Sequence, residues 1–255
     1  AERNGADFAK ANFDLYWSKP EERRELMELF KAKDCGKPVH PSATVDAFSL
    51  KPSIWSAVYR RDFLNRNAIR FLPTPGAAFQ DASFTFKVFA LADTAVYLHD
   101  SVLSYRQDNE GSSVNSPNKV HCVNDEYAEI HRWIVEDYAE THSSLDVAKL
   151  LRFANIIKYD SYMWSYIRLN PKFYAEFLDR MAQEFRGALE VHEFELTDLK
   201  PWKRANLKAI VNDPQKWLTE SEDFAGAGAL GRARHYARIG GPGVVAAFVL
   251  DAIKK

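Results

Sequence analysis

The sequence predicts an α/β first part followed by a mainly α-helical second part, with the change near residue 115. Before that point, short strand-like and helix-like segments alternate and are separated by turns that contain Pro and Gly. After it, apolar residues recur at helical spacing over several long segments. Hydrophobic residues make up 46% of the 255 residues, enough for a sizeable core. We therefore expect two domains, residues 1–115 and 116–255.

The first domain is expected to open on the end of a helix and to continue as a strand. Residues 1–5 end in Gly5, a common helix stop, and residues 8–17 indicate a strand. Pro20 and the two glutamates after it predict a helix over residues 20–33, because Pro and acidic side chains suit the first turn of a helix. A chain that begins on the last turn of a helix is expected to be part of a longer one.

The rest of the first domain consists of short elements separated by turns. They are a strand or buried turn over residues 53–59, a helix over 60–67, a strand over 69–71, a helix over 80–92, strands over 94–98 and 102–106, and a polar loop over 107–117. The loop is rich in turn-forming residues, so it is expected to be exposed.

The second domain is expected to be a set of helices with a C-terminal tail. Helical spacing predicts helices over residues 119–138, 145–169, 171–189 and 201–211. The tail, residues 230–255, is basic, partly apolar and interrupted by glycines. It could dock on the helices, on a partner or on a membrane surface, and docking on the helices is the simplest of these. Its apolar run, residues 244–250, is shorter than the ~20 residues of a membrane-spanning helix, so no transmembrane segment is expected.

The bulk numbers exclude several classes of function. The net charge of −1 argues against a nucleic-acid-binding surface, which needs clustered Lys and Arg. Two distant cysteines form neither a disulfide framework nor a zinc site, and they fit a reducing cytoplasm. Serine nucleophile elbows, phosphate-binding Walker loops and dinucleotide fingerprints are absent from the sequence.

Asp81 is the candidate for chemistry that the residues themselves indicate. It lies in the first turn of the helix predicted over residues 80–92, directly after a loop that contains Pro and Gly. The helix N-terminus stabilises a negative charge there, and an ionised carboxylate beside a substrate-admitting loop can act as a general base. The alternative is that Asp81 is only a helix cap, which is a common role.

Three stretches give the sequence a family resemblance. Residues 54–64 (IWSAVYRRDFL), 70–81 (RFLPTPGAAFQD) and 103–109 (LSYRQDN) resemble the C-terminal section of bacterial family 2 glycosyltransferases, and residues 4–13 resemble the helix-to-strand passage before it. The resemblance covers about the first 115 residues and implies a partial GT-A-type sheet with flanking helices. It further implies that this chain is the acceptor side, without the N-terminal nucleotide-binding segment. The helical domain resembles accessory regions of such enzymes only loosely.

The resemblance assigns the catalytic pair. In the family, a Glu-Asp pair opens the helix after the acceptor loop, and its Asp deprotonates the acceptor hydroxyl. Here the pair is Gln80-Asp81. Asp81 keeps the role of base for a single displacement with inversion, whereas Gln80 replaces the Glu and puts any role of a second carboxylate in doubt.

The resemblance also suggests binding residues. Arg106, at the end of a predicted strand, is the candidate for neutralising the leaving diphosphate, although a surface or ion-paired role stays open. Trp55, Tyr59, Pro75 and Gly76 border the acceptor side. Trp55 and Tyr59 could stack on a sugar ring, and a role in the core stays open for both.

The implied partners are a nucleotide-sugar donor, here a uridine diphosphate sugar, and a glycan or polyol-phosphate acceptor. A divalent cation, Mg or Mn, is expected for the full-length enzyme, but no D-x-D motif occurs in this chain and no metal ligands are identified. The Asp-Asn-Glu run at residues 108–110 is interpreted as solvated loop. The chain alone is therefore expected to be inactive. The alternatives are a non-catalytic glycan-binding or assembly module, and a helical interaction protein for which the first domain is only a platform.

Overall fold

The computed structural model describes residues 2–73, 79–109, 119–221, 224 and 226–253. The chain divides into two compact units, Ala1–Asn115 and Ser116–Lys255. The first unit combines a sheet with helices, and the second is helical. The predicted fold class is therefore confirmed.

The first unit is built on a mixed five-stranded sheet. Its strands are β1 (Phe8–Trp17), β2 (Arg23–Met27), β3 (Pro38–Val39), β4 (Ala57–Tyr59) and β5 (Ala95–Arg106). The order is β2-β1-β5-β3, and β4 also pairs with β1. Only the pairing of β1 with β5 is parallel among these. The first half of β1 is buried throughout, because strands or helices cover it on every side.

Among the described residues of this unit, three α-helices accompany the sheet: α1 (Val45–Phe48), α2 (Arg61–Arg66) and α3 (Gln80–Leu91). Eight consecutive residues of α3 are buried, and the ring of Phe89 stacks on Phe8 of β1 at 5.3 Å between centroids. This contact fixes the C-terminal half of α3 against the central strand. The helices predicted over residues 60–67 and 80–92 are confirmed.

The helix predicted over residues 20–33 is wrong. Its middle forms β2, which pairs antiparallel with β1, with Met27 opposite Phe13 and Arg23 opposite Trp17. The segment contains good helix formers, but pairing and packing across the hairpin outweigh that propensity. The guanidinium of Arg23, for example, lies 3.9 Å from the centre of the Trp17 ring.

Two smaller strand predictions also change. Residues 69–71 are not a strand, since the Ile69 amide closes the end of α2 by donating to the Leu64 carbonyl at 2.9 Å. The two strands predicted over 94–98 and 102–106 are one strand, β5. The polar residues between them stay extended because the pairing with β1 resumes beyond two register shifts.

The register shifts are bulges of β5 against β1, because Leu98 to Ser104 of β5 pair with only Ala11 to Asp14 of β1. They fall on either side of Asn12, whose buried side-chain amide donates to the carbonyls of Phe30 and His99 and accepts from two backbone amides. Lys10 and Phe13 of β1 both contact the segment 53–56.

The second unit contains six helices among its described residues: α4 (Cys122–Arg132), which continues as a π-helical turn over Trp133–Tyr138, α5 (Ser144–Tyr166), α6 (Tyr174–Glu190), α7 (Pro201–Asn212), α8 (Pro214–Glu220) and α9 (Ala229–Ile253). The four predicted helices are confirmed. Side-chain caps mark two helix starts, since Ser143 accepts from the Asp146 amide and Asp213 from the Lys216 amide.

The segment predicted as a tail is the helix α9, which docks on α7. The rings of Phe248 and Trp202 lie 5.7 Å apart, and Asp251 forms an ion pair with Lys200. Gly241 has φ 73° and ψ −173°, which kinks the helix. By length and composition alone, α9 is the one described helix that could cross a membrane, with mean hydropathy 1.3 over 18 residues, and a single such helix is weak support for a span.

Candidate active site

Asp81 occupies the first turn of α3, behind a residue with an unusual backbone. Phe79, which precedes the helix, has φ 59° and ψ 5° in the left-handed region. For a residue with a Cβ this conformation costs about 1–2 kcal/mol, so the surrounding structure must impose it. Strained positions of this kind concentrate at functional sites. Here the strain sits two residues before the candidate base.

The half-buried carboxylate of Asp81 has a shifted pKa. Burial raises its pKa from 3.8 to about 6, and this rise is opposed by a backbone hydrogen bond and by the charges of Lys10 and Lys51. Asp81 is consequently ionised at neutral pH, yet more basic than an ordinary aspartate. That combination suits a general base.

Lys10 is a buried lysine in the middle of β1. Its side-chain ammonium donates to the Ser53 carbonyl at 2.6 Å, to Ser53 Oγ at 2.9 Å and to Ser56 Oγ at 3.1 Å. Burial lowers the pKa of Lys10 from 10.5 to about 7, and the charge of Asp81 opposes that shift. The shift corresponds to a cost on the order of 5 kcal/mol at pH 7. A lysine retained at such a cost beside a carboxylate indicates a functional site.

Tyr59 lies beside the same carboxylate. Its hydroxyl donates to the Ile54 carbonyl at 3.3 Å, and its ring packs edge-on against Phe84 with centroids 5.4 Å apart. Burial, followed by the charge of Asp81, raises the pKa of Tyr59, so its phenol stays protonated. The structure therefore brings Tyr59 to Asp81, and part of its ring belongs to the core.

Trp55 and Lys51 extend the cluster along β1. The Trp55 ring meets Phe13 edge-on and stacks on Tyr105, with centroids 4.5 Å apart in both pairs. Lys51 Nζ lies 5.5 Å from the centre of the Phe13 ring and 5.4 Å from that of Tyr105. Lys51 thus connects an aromatic cluster to the carboxylate of Asp81.

Sequence reasoning missed both lysines. A signal existed for each: Lys10 is the one charged residue in the first six residues of a strand that otherwise reads as buried. Lys51 lies three positions before residues 54–64, one of the stretches that gave the family resemblance. The bulges of β5 opposite Asn12 left no comparable signal.

Arg106 lies at the far end of β5. Its Nε donates to Asp108 Oδ1 at 2.9 Å, and its Nη2 donates to Ser18 Oγ at 2.9 Å. Arg106 pairs with Tyr16 on β1, six positions beyond Lys10, which is about 20 Å along a strand. The contacts of Arg106 are therefore with Ser18 and Asp108, while its neighbour Tyr105 is the β5 residue that meets Trp55 and Lys51. The assignment of Arg106 to the donor diphosphate stays a prediction.

Asp108 lies in a loop as predicted, but its carboxylate is engaged rather than solvated; Asn109 is exposed, and Glu110 lies outside the described residues. Asp108 Oδ2 accepts from the backbone amides of Ser18 and Lys19 at 2.9 and 3.0 Å and from the Ser18 hydroxyl at 2.6 Å. Hydrogen bonds from Ser18, then Arg106, hold the pKa of Asp108 far below its usual range. Asp108 thus ties the segment after β5 to the end of β1.

The remaining predicted residues are placed as follows. Gln80 is the first residue of α3 and is half-buried beside Asp81. Pro75 and Gly76 lie outside the described residues. Within the described ranges, no three His, Cys, Asp or Glu side chains come together as metal ligands.

Comparison with known proteins gives a class for this fold. No protein-family model and no curated protein matches the chain. Solved structures do match, and they show that the chain has part of a glycosyltransferase fold.

Two of these structures are of TarS from S. aureus, residues 1–349. The one in complex with UDP-GlcNAc has a TM-score of 0.57 and 16% identity over 88% of this chain and 61% of that chain. The other has a TM-score of 0.54 and 14% identity over 88% and 60%. This chain thus spans about three fifths of the length of the TarS chains that it matches, and the likeness is one of fold.

Proposed function

We propose that this chain is the acceptor-side part of an inverting, GT-A-type family 2 glycosyltransferase, with Asp81 as the general base. The observation that carries the proposal is the carboxylate itself. It lies half-buried in the first turn of α3 with two lysines in electrostatic range, in a chain that shares a glycosyltransferase fold.

The chemistry follows from the properties of this carboxylate. Asp81 takes the proton of the acceptor hydroxyl while the hydroxyl oxygen of the acceptor bonds to the anomeric carbon of the donor sugar. The bond between that carbon and the leaving phosphate oxygen breaks on the opposite face, so the configuration inverts. A pKa of about 6 keeps Asp81 deprotonated at neutral pH while leaving it a better proton acceptor than an ordinary aspartate. Lys10 and Lys51 favour the ionised form before the proton arrives.

The donor in this proposal is a nucleotide sugar, and a uridine diphosphate sugar is the first to test, since a TarS structure with this fold holds UDP-GlcNAc. Trp55 and Tyr59 border the acceptor side. Arg106 is the residue of this chain proposed for the departing diphosphate, and a divalent cation would supply further neutralisation of that charge when bound. The acceptor in the proposal is a glycan or a polyol phosphate.

Asp81→Asn tests the proposal in the natural-length protein. Removal of the base is expected to lower kcat about 10³-fold with little change in donor KM, measured as release of UDP from UDP-GlcNAc in the presence of acceptor. The matched control is Asp62→Asn, an exposed aspartate of the short helix α2, which is expected to leave kcat unchanged.

Turnover that survives Asp81→Asn would refute the assignment of the base. Glycan binding by the wild-type protein without turnover of any nucleotide sugar would instead favour the non-catalytic module.

A further inference from the structure

The second half of α9 presents an apolar stripe to solvent. Apart from Ala252, its exposed residues recur at the three- and four-residue spacing of one face of the helix. The large ones are strongly exposed: Val249 at 42%, Leu250 at 58% and Ile253 at 76% of the residue's full accessible area. The complete stripe is Pro242, Gly243, Ala246, Val249, Leu250 and Ile253.

The opposite face of the same half-helix is already used. Phe248 packs against Trp202 of α7 and against Tyr236 of α9 itself, with centroids 5.7 and 4.7 Å apart. Asp251 forms an ion pair with Lys200 and accepts from the indole of Trp202 at 3.3 Å. The helix is therefore anchored on its inner face, and the stripe is not available to the core of its own unit.

The charges of α9 favour an anionic occupant. The helix contains three arginines and one acidic residue, Asp251, and Asp251 already forms an ion pair with Lys200. Arg234 and Arg238 lie one turn apart among the exposed residues of the first half, together with Leu230. A second copy packed through the same surface would bring these arginines together, whereas an anionic lipid surface attracts them.

The kink and the docked face of α9 determine how this helix would bind a bilayer. Gly241 and Pro242 break the helix into two halves of about 12 residues, each about 18 Å long, while the hydrocarbon core of a bilayer is about 30 Å thick. Neither half spans this core by itself, and the helix as a whole is held on α7 through Phe248 and Asp251, so crossing would require it to leave its own unit. A helix with one face docked on protein and one apolar face exposed suits a position in the interface, where such faces sink about 5–10 Å below the head groups.

We propose that α9 docks this protein on an anionic membrane surface. Val249, Leu250 and Ile253 enter the boundary between head groups and acyl chains, and Arg234 and Arg238 contact the phosphates of the lipid head groups. The proposal does not depend on the catalytic role of Asp81, because the docking surface belongs to the second unit alone.

Co-sedimentation with lipid vesicles tests it. Wild-type protein is expected to bind vesicles of phosphatidylcholine with 30–40% phosphatidylglycerol, roughly the charge of an anionic leaflet, and to bind pure phosphatidylcholine much more weakly. Leu250→Gln with Ile253→Gln is expected to weaken binding at least about tenfold, because two inserted apolar side chains are lost. Arg234→Gln is expected to weaken it about fivefold.

Matched controls separate the stripe from general surface effects. Leu145→Gln with Val191→Gln removes two other exposed apolar side chains of the same unit, 78% and 67% exposed, and is expected to bind like wild type. Lys172→Gln is the control for charge. Binding of the wild-type protein should also weaken as salt rises, which needs no variant.

Three results would overturn the proposal: no binding of wild-type protein to the anionic vesicles, equal binding by the α9 variants that retain the wild-type Tm, or binding that is independent of salt. Light scattering adds a fourth. A dimer that Leu250→Gln with Ile253→Gln converts to monomer would assign the stripe to a second copy of the chain.

Discussion

Asp81 in the first unit and Glu184 in the second are both half-buried carboxylates beside a lysine, yet their pKa values shift in opposite directions. Burial would raise both. At Glu184 it is outweighed by Lys158, whose Nζ lies 2.6 Å away, and by hydrogen bonds from Tyr162 and Arg180 at 2.5 and 3.0 Å. At Asp81 the lysine charges only reduce the rise.

The difference lies in what each lysine binds. Lys158 bonds directly to Glu184, so the two charges satisfy one another and the pair holds α5 against α6. Lys10 instead donates its hydrogen bonds to Ser53 and Ser56 and acts on Asp81 through its charge. A directly bonded carboxylate is stabilised as an anion and contributes to the fold. A carboxylate whose ionised form has weaker stabilising partners keeps a higher pKa and remains able to take a proton.

The largest expected effects are those of substituting the two carboxylates, one of which should lower stability and the other kcat. Glu184→Gln leaves Lys158 and Arg180 with a weaker partner and is expected to lower the free energy of unfolding by about 3 kcal/mol, measured in urea, while kcat stays near wild type. Asp81→Asn is expected to do the reverse: a large loss of kcat with little loss of stability.

The control for the first variant is Glu190→Gln, which changes an exposed glutamate of the same helix, α6, and should leave stability unchanged. Equal losses of stability from Glu184→Gln and Asp81→Asn would contradict the distinction between the two sites.

The two carboxylates should also make opposite contributions to the pH dependence of the free energy of unfolding. The folded pKa of Asp81, about 6, exceeds its ordinary value of 3.8, so between these values the folded state binds more protons and the free energy of unfolding falls as pH rises. The full change is about 3 kcal/mol. Glu184, whose pKa is lowered, contributes stability that is lost as pH falls.

Urea unfolding at several pH values from 4 to 6.5 measures this. Asp81→Asn should remove the downward component, so that stability rises more steeply with pH than in the wild type. A wild-type and a variant curve with the same slope would show that Asp81 titrates normally.

The elements that the sequence predicted well are those whose signal is local. The strand over residues 8–17 and the helices over 60–67 and 80–92 appear with nearly the expected bounds. The helix predicted over 20–33 failed because its strand form depends on pairing with β1, a partner outside the segment. The two strands expected on either side of residues 99–101 merged for the same reason, since parallel pairing with β1 continues past the polar residues.

The candidate site divides in a similar way. Asp81 could be named from its place after a turn and at a helix start. Lys10 and Lys51 could not be tied to it, because 71 and 30 sequence positions separate them from Asp81 and only the folded sheet makes them act on it. Arg106 was grouped with Asp81 by resemblance, whereas the register of β1 and β5 places it at the other end of the strand.

Lys10→Met tests whether the charge of Lys10 acts on Asp81 without a direct bond, as the comparison with Glu184 suggests. Loss of the ammonium removes an influence that lowers the pKa of Asp81, so the pKa should rise, by about one unit. The acidic limb of kcat/KM should move to higher pH by the same amount, giving about fivefold lower activity at pH 6 and near wild-type activity at pH 8. Ser53 Oγ and Ser56 Oγ already lie 2.8 Å apart and can bond to each other in the variant.

The control for this variant is Lys33→Met, which removes an exposed lysine of the same unit. The pKa of Asp81 can be followed directly by NMR of its carboxyl carbon, so the result does not depend on activity. A purely structural Lys10 would lower stability without moving either the carboxyl pKa or the pH profile.

The smallest effect is expected at Arg106, where ion pairing and donor binding can be told apart. Arg106→Gln removes an exposed cation from Asp108 and Ser18, and exposed pairs of this kind contribute little to folding, so Tm should change by no more than a few degrees. If the guanidinium also meets the donor diphosphate, donor KM should rise about three- to fivefold while the pH profile stays as in wild type, since Arg106 lies far along the sheet from Lys10.

Asp108→Asn is the informative partner variant, because it removes the ion pair and leaves the guanidinium in place. A rise in donor KM with Arg106→Gln but not with Asp108→Asn would assign Arg106 to the donor, whereas equal changes in both would assign it to the structure of the segment after β5.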